Sequence, residues 1–221
     1  LSLRRDWEDC GAVLFDFDGV LADSEPFYRE TWNLAISPSR PIGEGEYFLR
    51  WSFLGEGEQH LAEMGFAAHA REALRNRQKK LYGTLCRTGA IPLFPETAAL
   101  LSWVSGKKPC MIASNTDSDL VRVVLERGGS PVPAVMGGEG LRHKPDPDIF
   151  LRAASVLGVP PGSCLVVEDA WKGIEAARRG GFKAVLVRTP HNRGLDAGAV
   201  LEARNLSHLF RVWKGEGGND R

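Results

Sequence analysis

Four short apolar runs punctuate the chain, and each gives way to polar residues. Ala12-Val13-Leu14-Phe15 leads into Asp16, and Pro109-Cys110-Met111-Ile112-Ala113 leads into Ser114-Asn115-Thr116. Cys164-Leu165-Val166-Val167 leads into Glu168-Asp169, and Ala184-Val185-Leu186-Val187 into Arg188-Thr189. Runs of this length with β-branched residues read as strands buried on both faces, as in a parallel sheet. Residues 119–127, 147–157 and 170–179 carry helical periodicity, and the last of these stops at Gly180-Gly181. Strand and helix in alternation predict an α/β fold with a doubly wound, Rossmann-like parallel sheet.

Residues 25–89 break the alternation. They are helical in character and contain no clear buried strand. Over residues 67–85, Leu74, Leu81 and Leu85 share one side, while Arg71, Arg75, Arg77, Lys79 and Lys80 fall mostly elsewhere. That basic run reads as a solvated helix face. Pro38, Pro41 and Gly43 predict a loop across residues 36–44. The expected organisation is a core of residues 1–24 and 90–221 interrupted by a helical cap at 25–89. The Gly-rich tail, residues 214–221, is expected to fray.

Composition narrows the function classes. Lys plus Arg equals Asp plus Glu at 28 each, so no excess of basic charge supports a nucleic-acid surface. No stretch approaches the roughly 18 apolar residues of a membrane span, and the first ten residues lack an apolar signal core. Cys10, Cys86, Cys110 and Cys164 are scattered without a CxxC pair, against a zinc site or disulfide framework. Together these predict a cytoplasmic protein with buried, reduced cysteines. Oligomeric state is not readable.

The candidate chemistry sits where the strands end, which is where open parallel sheets bind ligands. In Asp16-Phe17-Asp18-Gly19, residues two apart on extended backbone place two carboxylates toward one crevice. One can serve ionised as nucleophile or metal ligand and the other protonated as an acid. Ser114-Asn115-Thr116 offers hydroxyl and N–H donors for phosphate oxygens. Lys144-Pro145-Asp146-Pro147 presents an ammonium from a stiff turn. Adjacent Glu168 and Asp169 repel each other unless a cation lies between them, and their hard oxygens point to Mg²⁺. Taken singly, each cluster also fits a turn, a helix cap or a solvent-facing lysine. Their convergence on one sheet end makes the functional reading.

These motifs resemble the haloacid dehalogenase superfamily, in its capped phosphatase and phosphomutase branch. The matching stretches are Asp16-Phe17-Asp18-Gly19-Val20-Leu21-Ala22-Asp23-Ser24-Glu25-Pro26, Ser114-Asn115-Thr116, Lys144-Pro145-Asp146-Pro147-Asp148-Ile149-Phe150 and Val166-Val167-Glu168-Asp169. The resemblance implies Mg²⁺-dependent hydrolysis of a small phosphorylated metabolite through an aspartyl-phosphate on Asp16. Asp16 would also bind the metal. Asp18 would be general acid, then base, with its backbone carbonyl on the metal. Ser114 and Lys144 would hold the phosphoryl oxygens, Glu168 and Asp169 would complete the metal site, and Gly19 and Asn115 would contact substrate or phosphate. A cap that opens and shuts is expected, hinged near residues 23–26 and 88–92.

Relatives frame the alternatives. A true dehalogenase of this superfamily lacks the second Asp and needs no metal, which Asp18 and Glu168-Asp169 oppose. A β-phosphoglucomutase-like enzyme carries a cap His where this chain has Tyr28, which favours water over sugar as acceptor. A phosphonoacetaldehyde hydrolase needs a cap Lys, and Lys79 and Lys80 lie on the exposed-looking face. A non-catalytic module binding a phosphometabolite is the remaining class. Substrate choice is expected to lie in the cap, with Arg50-Trp51-Ser52-Phe53 as the candidate segment and Arg50 as a clamp for a distal anion.

Overall fold

The computed structural model describes residues 2–198 and 201–216. Helix α1 (Leu3–Asp9) leads into strand β1 (Ala12–Phe15). Four helices follow: α2 (Glu25–Ile36), a single turn α3 (Glu44–Glu46), α4 (Gly57–Glu63) and α5 (Ala68–Thr88). A π-helical segment, Tyr47–Phe53, continues α3. Then come α6 (Thr97–Ser105), β2 (Cys110–Ala113), α7 (Ser118–Arg127), β3 (Ala134–Met136) and α8 (Asp148–Leu157). The described chain closes with β4 (Cys164–Glu168), α9 (Trp171–Arg179), β5 (Lys183–Val187), β6 (Leu201–Ala203) and α10 (Leu206–Lys214).

The six strands form one parallel sheet in the order β3-β2-β1-β4-β5-β6. This is the doubly wound α/β arrangement expected from the strand–helix alternation. Its residues alternate between two helix layers, as a period of two requires. Val13, Phe15, Ile112, Leu165 and Val167 join the larger core cluster, with Leu3, Leu101, Val121 and Trp213. Ala12, Leu14, Met111, Cys164 and Val166 join the other, with Ile149, Phe150, Ala176 and Ala177. Burial on both faces is why β1, β2 and β4 read as continuous apolar runs.

The helices between β1 and β2 carry an apolar cluster of their own, built on Ile36, Ile42, Tyr47, Phe48, Trp51 and Leu61. The chain between α2 and α3 is irregular, as Pro38 and Pro41 predict. Helix α5 ends on Gly89 in the left-handed region (φ 80°), the usual glycine stop. All four cysteines are buried and free. Among the described residues, no helix is long and apolar enough to cross a membrane. Of the expected frayed tail, residues 214–221, Lys214 closes α10 with Gly215 as its cap, and residues 217–221 lie outside the described residues.

Candidate active site

The strand order reverses at β1, and the switch-point crevice opens at the carboxyl ends of β1 and β4. Phe15 pairs with Val167, so Asp16 and Glu168 occupy the next rung, with Asp16 N–H donating to the Val167 carbonyl at 2.9 Å. The loop before α8 folds Lys144 into the same crevice. Its ammonium donates to Asp16 Oδ1 at 2.5 Å, Glu168 Oε1 at 2.7 Å and the Ala113 carbonyl at 2.9 Å. One oxygen each from Asp16, Glu168 and Asp169 lie within 4.8 Å of one another.

Charge does not balance in this crevice. Three buried carboxylates share the crevice with the Lys144 ammonium, which pairs with Asp16 and Glu168, while Asp169 feels Lys172 without an ion pair to it among the described residues. Burial therefore pushes the Asp16 carboxyl up to about 8, with Lys144 pulling against it and Glu168 and Asp18 reinforcing it. Asp169 is likewise driven well above the usual carboxylate range by burial, then by Glu168. Burial disfavours the charged form of Lys144, but Asp16 and Glu168 outweigh it and hold the ammonium above its ordinary value. A divalent cation fits this residue set: the donors are hard oxygens, closely grouped, with uncompensated negative charge.

Two glycines make the crowding possible. A Cβ on Gly19, itself at φ 78°, would lie 2.1 Å from Asp169 Oδ2. A Cβ on Gly173, in the first turn of α9, would lie 1.9 Å from the Glu168 carboxylate.

Asp18 stands apart from the three metal-capable carboxylates. Its Oδ1 accepts from Ser24 Oγ at 2.7 Å and Tyr82 OH at 3.2 Å. Its Oδ2 accepts from Ser114 Oγ at 3.0 Å and Thr116 Oγ1 at 2.6 Å. Asn115 Oδ1 accepts the backbone N–H of Lys144 at 3.3 Å, tying that loop to the end of β2.

Above the crevice, a cavity of about 250 Å³ lies between the sheet end and the α2–α5 helices. Tyr28, Trp32, Tyr47, Trp51 and Tyr82 supply aromatic walls, and Glu25, Ser52, Gln78, Lys79 and Lys172 supply polar groups. The wide turn of the π-helix sends Tyr47, Trp51 and Ser52 inward. Trp51 Nε1–H donates to His60 Nδ1 at 2.7 Å, which fixes the proton of a neutral His60 on Nε2, facing Glu46 at 3.0 Å. Tyr47 OH donates to Glu25 at 2.9 Å, and burial raises the Glu25 carboxyl. Lys172 Nζ donates to the Trp51 carbonyl at 3.4 Å, and Lys79 pairs with Asp117 at 3.3 Å, so helical block and sheet meet on both sides of the cavity.

The structure thus brings Asp16, Asp18, Ser114, Lys144, Glu168, Asp169, Gly19 and Asn115 to one sheet end. It does not bring Arg50 there. The Arg50 guanidinium grips Glu63 through two hydrogen bonds of 2.7 and 3.0 Å and Glu56 at 3.2 Å, away from the cavity lining. Its neighbours Trp51 and Ser52, from the same segment, line the cavity instead. His191 stacks on Phe48 at 4.3 Å and contacts Asp23 at 3.0 Å. Sequence reasoning missed Ser24, Glu25, Tyr82 and Lys172. Ser24 and Glu25 stand inside the first motif and were available to it; Tyr82 and Lys172 carry no local signal.

Comparison with known proteins agrees with this geometry. The family model of haloacid dehalogenase-like hydrolases matches residues 10–181. The chain is 29% identical over 195 residues to fructose-1-phosphate phosphatase YqaB of Escherichia coli, covering 82% of this chain and 98% of that protein. It is 32% identical over 203 residues to a phosphorylated carbohydrates phosphatase of Thermotoga maritima, covering 86% and 92%. Its fold matches CbbY of Rhodobacter sphaeroides, solved in complex with phosphate, with a TM-score of 0.76, 21% identity and coverage of 92% and 96%. With the family match spanning most of its length and the motifs gathered at the sheet's switch point, the chain belongs to the haloacid dehalogenase-like hydrolases.

Proposed function

We propose that this protein is a Mg²⁺-dependent phosphatase of small phosphorylated carbohydrates, working through an aspartyl-phosphate on Asp16. The observation that carries the reading is the buried group of Asp16, Glu168 and Asp169 around the Lys144 ammonium, at the sheet end whose Asp18, Asn115 and Thr116 line the aromatic and polar cavity. The names of the Escherichia coli and Thermotoga maritima relatives support the carbohydrate phosphate class. Asp16, Glu168, Asp169 and the Asp18 carbonyl would hold the divalent cation, which when bound would supply the positive charge that a carboxylate needs before it meets a phosphate dianion.

The residues divide the work. The Asp16 carboxylate attacks phosphorus as the bond to the leaving oxygen breaks, and Asp18 gives that oxygen its proton. Asp18 then takes a proton from the water that attacks the phosphoryl group, and the bond to Asp16 breaks. Ser114 and Lys144 hold the equatorial oxygens, where charge concentrates in transfer. Both must change partners to do so: Ser114 now donates to Asp18, and Lys144 to Asp16 and Glu168. Gly19 and Asn115 frame the phosphate. The α2–α5 block is the cap, moving about residues 23–26 and 88–92 to admit substrate and exclude water. The position that would decide between water and sugar as acceptor is Tyr28, whose hydroxyl is engaged by Thr116.

The test is phosphate release from a panel of sugar and polyol phosphates, with and without Mg²⁺. Activity should require the metal, and Asp16→Asn should lower kcat/KM by at least about 10³-fold. Metal-independent turnover, or full activity in Asp16→Asn, would refute the reading.

A further inference from the structure

We infer that Tyr82, with Tyr28 acting through Thr116, is a positioning residue that aims the Asp18 carboxyl from the cap side. The inference rests on the proposed acid role of Asp18 and adds what holds that group in place. Ser24 and Tyr82 donate to Oδ1, and Ser114 and Thr116 donate to Oδ2. Thr116 has a single hydroxyl proton, and the Asp18 carboxylate in its ionised form receives it. The 2.5 Å contact between Tyr28 OH and Thr116 Oγ1 therefore has Tyr28 as donor. The result is a one-way relay from Tyr28 through Thr116 to Asp18.

The two tyrosines act as a unit. Tyr28 is on α2 and Tyr82 on α5, and their rings stack at 3.8 Å with an interplanar angle of 22°. Tyr82 is almost wholly buried, so its hydroxyl has little freedom to choose water instead. Phosphate binding draws Ser114 away from Asp18 under the proposed mechanism. Oδ2 then keeps Thr116 alone, and Tyr82 and Ser24 become the fixed reference for the whole group. Among the steps up to phosphoryl transfer, a hydroxyl that holds a carboxyl within reach of the leaving oxygen influences the one in which that oxygen needs a proton.

That restriction makes the test specific. An alkyl phosphate releases an alkoxide, which must take the Asp18 proton as its bond to phosphorus breaks. An aryl ester such as p-nitrophenyl phosphate releases a stable phenolate that needs none. The parameter kcat/KM reports steps through the first phosphoryl transfer, so later hydrolysis does not blur the comparison. Tyr82→Phe and Tyr28→Phe keep the ring stack and remove one hydroxyl each. Tyr82→Phe should lower kcat/KM for the fastest sugar phosphate by roughly ten- to a hundredfold while leaving p-nitrophenyl phosphate nearly unchanged. Tyr28→Phe should show a smaller loss of the same selective kind.

Tyr82 also lines the cavity, and a direct contact with the sugar would mimic this selectivity. The double-mutant cycle separates the two. If Tyr82 acts through Asp18, Tyr82→Phe added to Asp18→Asn causes no further loss with the sugar phosphate. A full additive loss, or equal losses on both esters, overturns the inference while the acid role of Asp18 stands. If Asp18→Asn itself fails to discriminate between the esters, the acid role fails and this inference falls with it.

Discussion

The Cβ that Gly173 lacks would sit 1.9 Å from the carboxylate of Glu168. That carboxylate is pinned by Lys144 at 2.7 Å and by the backbone N–H groups of Asp169 and Ala170 at 3.0 and 3.3 Å. In an ordinary helix, Gly→Ala stabilises by roughly 0.5–1 kcal/mol. Here the methyl must push Glu168 off its partners. Gly173→Ala should fold without that gain in stability and bind Mg²⁺ more weakly, as thermal melting and calorimetric titration would show. Unchanged affinity with a raised Tm would mean that Glu168 has no part in the metal site.

Proton linkage offers a second check. Without a cation, burial holds the Asp16 carboxyl near 8 instead of its ordinary 3.8. A raised carboxyl keeps its proton at neutral pH, and binding a cation to the ionised form expels it. Mg²⁺ affinity should therefore rise with pH through the range below about 8, by as much as about tenfold per unit for each proton expelled. Titration calorimetry in buffers of different ionisation heat should register proton release on the rising limb. Affinity independent of pH across this window would contradict the charge imbalance described for the crevice.

The cavity wall makes a third prediction. Trp51 is held by His60 and crossed by Trp32 at 4.7 Å, and Gly57 leaves room for its ring. Trp51→Phe strands the buried Nδ1 of His60 without its donor, a change that costs about 1–3 kcal/mol. If the ring packs on the sugar in ground and transition states alike, the same variant raises KM more than it lowers kcat.

Arg50 should behave differently from its neighbour. Its guanidinium is committed to Glu56 and Glu63 and does not face the cavity. Arg50→Ala should leave KM for the preferred substrate close to wild type, while Trp51→Ala raises it severalfold or more. A large KM effect of Arg50→Ala would restore it as a substrate clamp.

These contrasts mark where the sequence was legible. Strands β1, β2, β4 and β5 were visible because helices cover both of their faces, leaving unbroken apolar runs. Strands β3 and β6 were not, since three-residue edge strands with exposed positions carry almost no pattern. Helices α1 and α10 were also missed; they pair through Trp7 stacked on Trp213 at 4.8 Å, a contact between chain ends. Asp16, Lys144 and Glu168-Asp169 could be proposed because strand ends and turns announce themselves locally. The hydroxyl cradle of Asp18 could not, because Tyr82 lies 64 residues away and arrives only through the packing of α5. The segment around Arg50 borders the cavity, yet which of its residues faces it depends on a π-helical turn that ordinary helical periodicity does not describe.

The most direct measurement is acid-quenched mass spectrometry during the first turnover with a sugar phosphate and Mg²⁺. The account predicts one phosphoryl group on the peptide containing Asp16, forming at least as fast as phosphate is released and absent in Asp16→Asn. Turnover with no such adduct, or with the phosphoryl group on a different side chain, would contradict it.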